Sequence, residues 1–194
     1  MIKNMAEFTY KLNENGGGHI LYFTEKLDDY VQNAVEFIIS GIKNNEYVLF
    51  VENEPINLLI SQKLKNMLEA DEIKRVHQIN NFDFYCSTGN FHTVTILNYF
   101  FNTLDPYFDQ NLKIRCWGHV EWPTQKHINS TLKEFEFEVD RLMPEMDIIG
   151  VCAYNLDRLT KEVQKALMEC HGYLMTDNEI TRLVDESDGI KKIF

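Results

Sequence analysis

Apolar and polar residues fall in blocks along this chain, and the period changes from block to block. "HILYF" (19–23), "YVLFVE" (47–52), "LKIRCW" (112–117) and "DIIGVCAY" (147–154) are apolar almost throughout. Short continuous runs of this kind predict strands buried on both faces, as in a parallel sheet. Between them the apolar positions recur at helical spacing. Val31, Ala34, Val35, Ile38 and Ile42 predict a helix over 28–43, with Asp28 to cap its start and Gly41 near its end. Ile56, Leu59, Ile60, Leu64, Met67 and Leu68 predict a second, with Pro55 in its first turn. A third runs from Asn90 to Tyr107. A fourth, over 127–143, would bury Ile128, Leu132, Phe135, Val139 and Leu142, and a fifth covers 159–170. Shorter strands are predicted at 74–79, 82–86 and 173–176.

Strands separated by helices of roughly 10–18 residues make βαβ units, so the predicted fold is α/β, a three-layer α/β/α sandwich with a mostly parallel sheet. Residues 1–18 read as a polar, flexible arm ending in Gly16-Gly17-Gly18. Residues 19–176 read as one domain, and 177–194 as a polar tail with modest helical character.

Charge narrows the partners. The formal net charge is -11, which disfavours a surface that neutralises phosphates, whether of nucleic acid or of an anionic membrane. No run approaches the ~20 apolar residues of a membrane span, and the first residues carry no signal-peptide pattern. Cys86, Cys116, Cys152 and Cys170 show no Cys-x-x-Cys spacing. Reduced thiols and a cytoplasmic location are therefore expected.

In open α/β sheets ligands bind beyond the carboxyl ends of the strands. That rule selects the turns "TEKLDD", "NEP", "GHVEWP" and "NLDR". The first stands where a phosphate loop would be, but no glycine lies between Gly18 and Gly41, and Lys26 is flanked by Glu25, Asp28 and Asp29. Without glycines to let backbone amides curl around phosphate, and without the Lys-Ser/Thr pair, nucleotide hydrolysis is not expected. "CWGHVEWP" gathers Trp117, His119, Glu121 and Trp122. An extended backbone would put Trp117, His119 and Glu121 on one side. This is either an aromatic-walled pocket or a structural corner in which the indoles pack on the sheet. Tyr154 could face the same cleft or pack half-buried, and Glu52 and Glu54 read equally as solvated loop carboxylates. His119 and Glu121, even with His127 or His171, match no metal-motif spacing. Cys152 lies inside a strand with nothing to mark a low-pKa thiol. No metal, cofactor or catalytic group is expected.

The ordered segments resemble those of MEDS domains, sensory domains named for the methylotroph regulator DcmR. The segments are "GHILYFTEKLDDYVQNAVEFIISGIKNNEYVLFVENEP", "GNFHTVTILNYFF", "IRCWGHVEW", "LKEFEFEVDRL", "VCAYNLDRL" and "HGYLM", and they span 18–178. The resemblance implies a RecA-like fold, related to P-loop NTPases but without the P-loop, and a sensor of small, often hydrocarbon-like ligands. It carries over onto His19, Glu54, Arg115, Gly118, His119 or Glu121, Trp122, Cys152, Tyr154 and His171, with His119 standing where the family usually has Glu or Asp. Members are usually fused to DNA-binding, histidine-kinase or anti-sigma modules. The expectation is a non-catalytic sensory domain that binds a small, mostly apolar molecule through His19, Glu54, His119, Glu121, Trp122 and Tyr154. It would signal, in a transcription-regulating pathway, through a partner protein or a homodimer. The alternative is a ligand-free interaction module, an adaptor or inhibitor docking through the acidic stretch "KEFEFEVD" (133–140) or the carboxy-terminal tail.

Overall fold

Strands β1 (Gly18–Thr24), β2 (Tyr47–Glu52), β3 (Val76–Asn80), β4 (Ile114–His119), β5 (Ile149–Asn155), β6 (Tyr173–Met175) and β7 (Ile180–Arg182) form one sheet, ordered β3-β2-β4-β5-β1-β6-β7. The computed structural model describes residues 5–14 and 16–183. Every neighbouring pair is parallel except β6–β7, a short antiparallel hairpin at one edge. The four apolar runs become β1, β2, β4 and β5, the centre of the sheet. That is the physical reason they are apolar on both faces, since each is covered by helices above and below.

The alternation within each strand sorts its side chains into two cores. Ile20, Tyr22, Val48, Phe50, Trp117, Ile149 and Val151 pack beneath helices α1 (Met5–Glu14), α2 (Leu27–Lys43) and α3 (Glu54–Lys65). On the opposite face lie Leu21, Phe23, Leu49, Val51, Cys116, Cys152 and Tyr154. They are covered by α5 (Asn81–Tyr85), α6 (Thr93–Asp109), α7 (Ile128–Glu145) and α8 (Lys161–Met168), α4 (Ala70–Ile73) being a single capped turn after α3.

A buried ion pair ties the turn between α2 and β2 to β4. Arg115 is fully buried, and its Nε donates to Glu46 Oε2. Its Nη1 reaches Phe37 O and Ser40 Oγ, each at 3.3 Å, and the guanidinium lies 5.0 Å over the Phe37 ring. Gly41 makes room for it, because a Cβ there would stand 2.8 Å from Arg115 Cδ and Nε.

Three expectations are corrected. The predicted arm contains a packed helix: Met5, Phe8 and Leu12 of α1 are buried, and Phe8 meets the Tyr173 ring edge-on at 5.1 Å. Residues 82–86 belong not to a strand but to the short helix α5. The Asn80 side chain accepts from Phe82 N and Asp83 N and so caps a helical turn. The tail begins later than expected, since Ile180–Arg182 pair with β6. Residues 184–194, where the rest of the tail was expected, and the first four of the arm lie outside the described residues.

Candidate functional site

The first place to look is the turn after β1. Its backbone does point amide groups at a carboxylate, but the carboxylate is the protein's own. Asp177, in the β6–β7 hairpin, accepts from Glu25 N at 3.2 Å and Lys26 N at 3.0 Å through Oδ2. Its Oδ1 accepts from Tyr22 Oη at 2.7 Å, and Asn33 Nδ2 in turn donates to that hydroxyl at 3.0 Å. An internal anion thus sits at the helix start that a phosphate loop would offer to phosphate.

The residues expected to share one pocket are divided by the sheet. Trp117 and His119 point toward α2. Glu52, ending β2, is completely buried there, and its carboxylate accepts from Tyr30 Oη, from His119 Nδ1 at 2.8 Å and from Asn53 N at 2.7 Å. Trp117 Nε1 donates to Tyr30 Oη at 2.8 Å, which closes the network. Burial, reinforced by the adjacent Glu52 charge, holds the Tyr30 hydroxyl well above its ordinary range. Glu52 was read as a loop carboxylate, and it is instead the hub of a buried network. Glu54 is exposed in the first turn of α3.

The "GHVEWP" turn packs as a corner. β4 ends at His119, so period-two alternation stops before Glu121, which turns away to pair with Arg158. The Arg158 guanidinium lies 4.3 Å over the Trp122 ring and donates to Trp122 O at 3.0 Å. Trp122 also touches the Tyr154 ring, centroid to centroid 5.8 Å. Trp122 N also donates to Glu121 Oε1 at 3.3 Å.

On the α7 face the sheet has a hollow. Gly118 and Gly150, on adjacent strands, leave its floor without side chains. A Cβ at Gly118 would collide with the Tyr85 hydroxyl, and one at Gly150 would stand 2.7 Å from Met143 Sδ. The cavity above them offers about 40 Å³ to the centre of a water-sized guest. Leu49, Val51, Phe84, Ile96, Phe100 and Phe135 make most of its wall, and His19 and Cys152 stand at one end.

Behind that end is a buried polar cluster on β1, β5, α7 and the loop before β6. Glu136 is completely buried, and Tyr154 Oη donates to its Oε1. Its Oε2 lies 3.2 Å from His171 Nε2 and 3.4 Å from His19 Nε2. The two imidazoles are stacked at a tilt of 37°, centroids 4.2 Å apart. Burial opposes the charged form of Glu136, but the two imidazoles and the Tyr154 hydroxyl outweigh it and hold the carboxyl below its usual range. His19 is pushed the other way from a free imidazolium: burial, then the charge of His171, lowers its pKa. Cys152 is held as a thiol, with burial and the Glu136 charge both raising its pKa. Sequence reasoning reached His19, Cys152, Tyr154 and His171 through the family resemblance and missed Glu136 by reading 133–140 as an acidic docking stretch. The signal was present: Glu136 follows Leu132 by four and precedes Val139 by three, in the middle of the apolar stripe.

Comparison with known proteins agrees with this architecture. The profile of the MEDS family, described as the MEthanogen/methylotroph, DcmR Sensory domain, matches residues 18–172. No curated protein matches the sequence. Among solved structures, the flagellar accessory protein FlaH from Methanocaldococcus jannaschii superposes with a TM-score of 0.54 at 11% identity, over 83% of this chain and 71% of that one. An ATP synthase subunit, NeqB from Nanoarcheaum equitans, gives a TM-score of 0.48 at 9% identity, over 83% of this chain and 45% of that one. The likeness is one of fold, the RecA-like α/β/α sandwich.

Proposed function

The chain belongs to the MEDS family of sensory domains, and on that premise we propose that it senses a small, mostly apolar molecule held between the sheet and helices α5, α6 and α7. The observation that carries this reading is the hollow beside Gly118 and Gly150, apolar on most of its walls and polar at the Tyr85 hydroxyl, His19 and Cys152. A pocket with apolar walls and few polar groups takes its affinity from burial and its orientation from those groups. The guest enters among side chains of α6 and α7, so a ligand that fits one arrangement of these helices better than another shifts their population. A partner protein reads that shift from their outer faces. The sensor works without catalysis, because the turn after β1 is occupied by Asp177 and carries no phosphate-binding glycines.

This proposal moves the ligand away from the "GHVEWP" turn. His19 and Tyr154 stay close to it, one as a wall of the cavity and the other through Glu136. His119, Glu121, Trp122 and Glu54 serve structure instead. The interaction-module reading keeps a smaller surface than the sequence offered it. Glu136 points inward, which leaves Glu134, Phe137 and Arg141 as the exposed face of α7.

The test is a thermal-shift and native-mass screen of the full chain against short-chain haloalkanes, alcohols and thiols, with xenon as a neutral occupant of apolar cavities. A saturable rise in melting temperature, lost when Phe100 is replaced by Trp to fill the hollow, is the expected result. No shift and no adduct with any of these probes would overturn the sensor reading.

A further inference from the structure

Three buried polar atoms without hydrogen-bond partners face one another beneath α7, Nε2 of His19, Nε2 of His171 and Oε2 of Glu136, while a fourth, His19 Nδ1, lies 3.6 Å from Asp140 Oδ1. The three side chains are 0% exposed. Leaving such atoms unpaired inside a protein is costly, so a convergence of them calls for something to sit between them.

The hydrogen-bond partners outside the cluster say what that something is. His171 Nδ1 lies 2.7 Å from Leu167 O, which can only accept, so Nδ1 carries the proton. Its Nε2 lies 3.2 Å from Glu136 Oε2, outside hydrogen-bond geometry. His19 is placed between two carboxylates, with Asp140 Oδ1 3.6 Å from Nδ1 and Glu136 Oε2 3.4 Å from Nε2. Two imidazole nitrogens thus converge on one carboxylate oxygen at 3.2 Å and 3.4 Å without hydrogen-bond geometry to it. A metal ion held between the three would satisfy them together.

The spacing fits a metal better than a proton. Donors held tetrahedrally at about 2.1 Å from an ion stand about 3.4 Å from one another, and the two imidazole nitrogens lie 3.4 Å and 3.2 Å from the Glu136 oxygen. The contacts also miss hydrogen-bond geometry. The ligand atoms of His19, Glu136 and Cys152 all lie within 4.8 Å of one another, and His171 adjoins this trio through Glu136. Three of the donors have an outer partner that would orient them, as metal ligands usually do: Leu167 O for His171, Asp140 for His19 and Tyr154 Oη for Glu136.

From this geometry we infer that His19, His171, Glu136 and Cys152 bind a divalent first-row transition-metal ion of the zinc type. The donor set is two imidazoles, one carboxylate and one thiolate, which suits zinc, cobalt or ferrous iron and not the all-oxygen preference of magnesium or calcium. On binding, the Cys152 thiol gives up its proton to solvent, and that proton release accompanies metal uptake. The sequence hid the site because its ligands come from β1, α7, β5 and the loop after α8, so no short spacing links them. The inference goes beyond the sensor reading and does not depend on it, since the assay contains no small-molecule guest.

The experiment uses the full chain, stripped with a chelator under reducing, anaerobic conditions and titrated with Co2+. The expected result is one Co2+ per chain, with intense tetrahedral d–d bands and a thiolate-to-cobalt charge-transfer band. Zn2+ should displace it, and millimolar Mg2+ should not. Cys152→Ser should remove the charge-transfer band. His171→Gln and Glu136→Gln should weaken binding at least ~100-fold, and Asp140→Asn, which only orients His19, by ~10–100-fold. Circular dichroism checks that each variant folds. The Asp140 side chain is 41% exposed, so its variant keeps the comparison open if the buried ones unfold. A spectrum that stays that of hexaaquo-cobalt would overturn the site, as would equal affinity for the wild-type chain and a folded Glu136→Gln variant. A tetrahedral spectrum that Cys152→Ser leaves unchanged would overturn the assignment of the fourth ligand.

Discussion

Replacing Asp177 by alanine removes the anion that the turn after β1 holds in place of phosphate. Three donors lose their acceptor: Tyr22 Oη at 2.7 Å, Lys26 N at 3.0 Å and Glu25 N at 3.2 Å. Hydrogen bonds to a charged group contribute ~1.5–3 kcal/mol each when buried. Here the two amides can turn to water, because Glu25 and Lys26 are exposed. The loss should therefore be smaller than the sum, ~2–4 kcal/mol, or roughly 5–15 °C in melting temperature for a domain of this size. Asp177→Asn keeps one acceptor oxygen and should fall in between. The variant also uncovers amide groups at the start of α2, a feature that attracts anions, while Glu25, Asp28 and Asp29 keep that attraction weak. Inorganic phosphate at tens of millimolar should thus recover part of the lost stability in Asp177→Ala and do less for the wild type. Differential scanning fluorimetry across a phosphate series reads both effects. A melting temperature unchanged by Asp177→Ala, or phosphate stabilisation equal in both proteins, would refute the idea that this carboxylate fills a phosphate position.

Other parts of the molecule make equally direct predictions. Arg115→Met leaves Glu46 buried without its partner and should cost about 3–5 kcal/mol in urea denaturation, with the double variant Arg115→Met/Glu46→Gln recovering much of it. Gly118→Ala drives a methyl group into the Tyr85 hydroxyl. It should cost about 1–3 kcal/mol and abolish any thermal shift with small apolar probes, and adding Tyr85→Phe should restore both because the collision is with the oxygen. Tyr30 has its pKa raised by burial and by Glu52. A group whose folded pKa lies above its unfolded value contributes stability that is complete below pH ~10 and is lost as pH climbs beyond it. Tyrosinate absorbance from Tyr30 should therefore appear together with loss of circular dichroism. Tyr30 absorbance that appears while the circular dichroism is still that of the folded protein would contradict the buried network.

The order of strands and helices was legible because burial on two faces writes an unbroken apolar run, and burial on one face writes a helical stripe. α1 escaped because its stripe is short, with Met5, Phe8 and Leu12 set among Asn, Lys and Glu and followed by three glycines. α5 escaped because "FDFYC" alternates like a strand, and only the Asn80 cap, a matter of backbone angle, turns it into a helix. Glu52 and Glu136 escaped for one common reason. A carboxylate in a sequence is read as solvated by default, and the partners that let these two be buried lie far off along the chain. Tyr30 and His119 serve Glu52, while His19, Tyr154 and His171 serve Glu136.

That pattern also bears on how the two faces of the sheet divide their work. On the α2 face the carboxylates named here all have partners: Asp177 closes the first turn, Glu52 gathers three donors, and Glu46 holds Arg115, whose Nη2 alone of its nitrogens lacks a partner among the described residues. Carboxylates so paired have little to gain from a ligand and much to lose from movement. On the α7 face lie the hollow over two glycines and the cluster of unpaired imidazole and carboxylate atoms. Free energy is available there, because a guest can fill space and a cation can satisfy lone pairs. β1 and β5 run through both faces, with Tyr22 turned toward Asp177 and neighbouring His19 and Leu21 turned the other way. β1 thus anchors a locked turn through Tyr22 on one side, and on the other it supplies His19 to the proposed site.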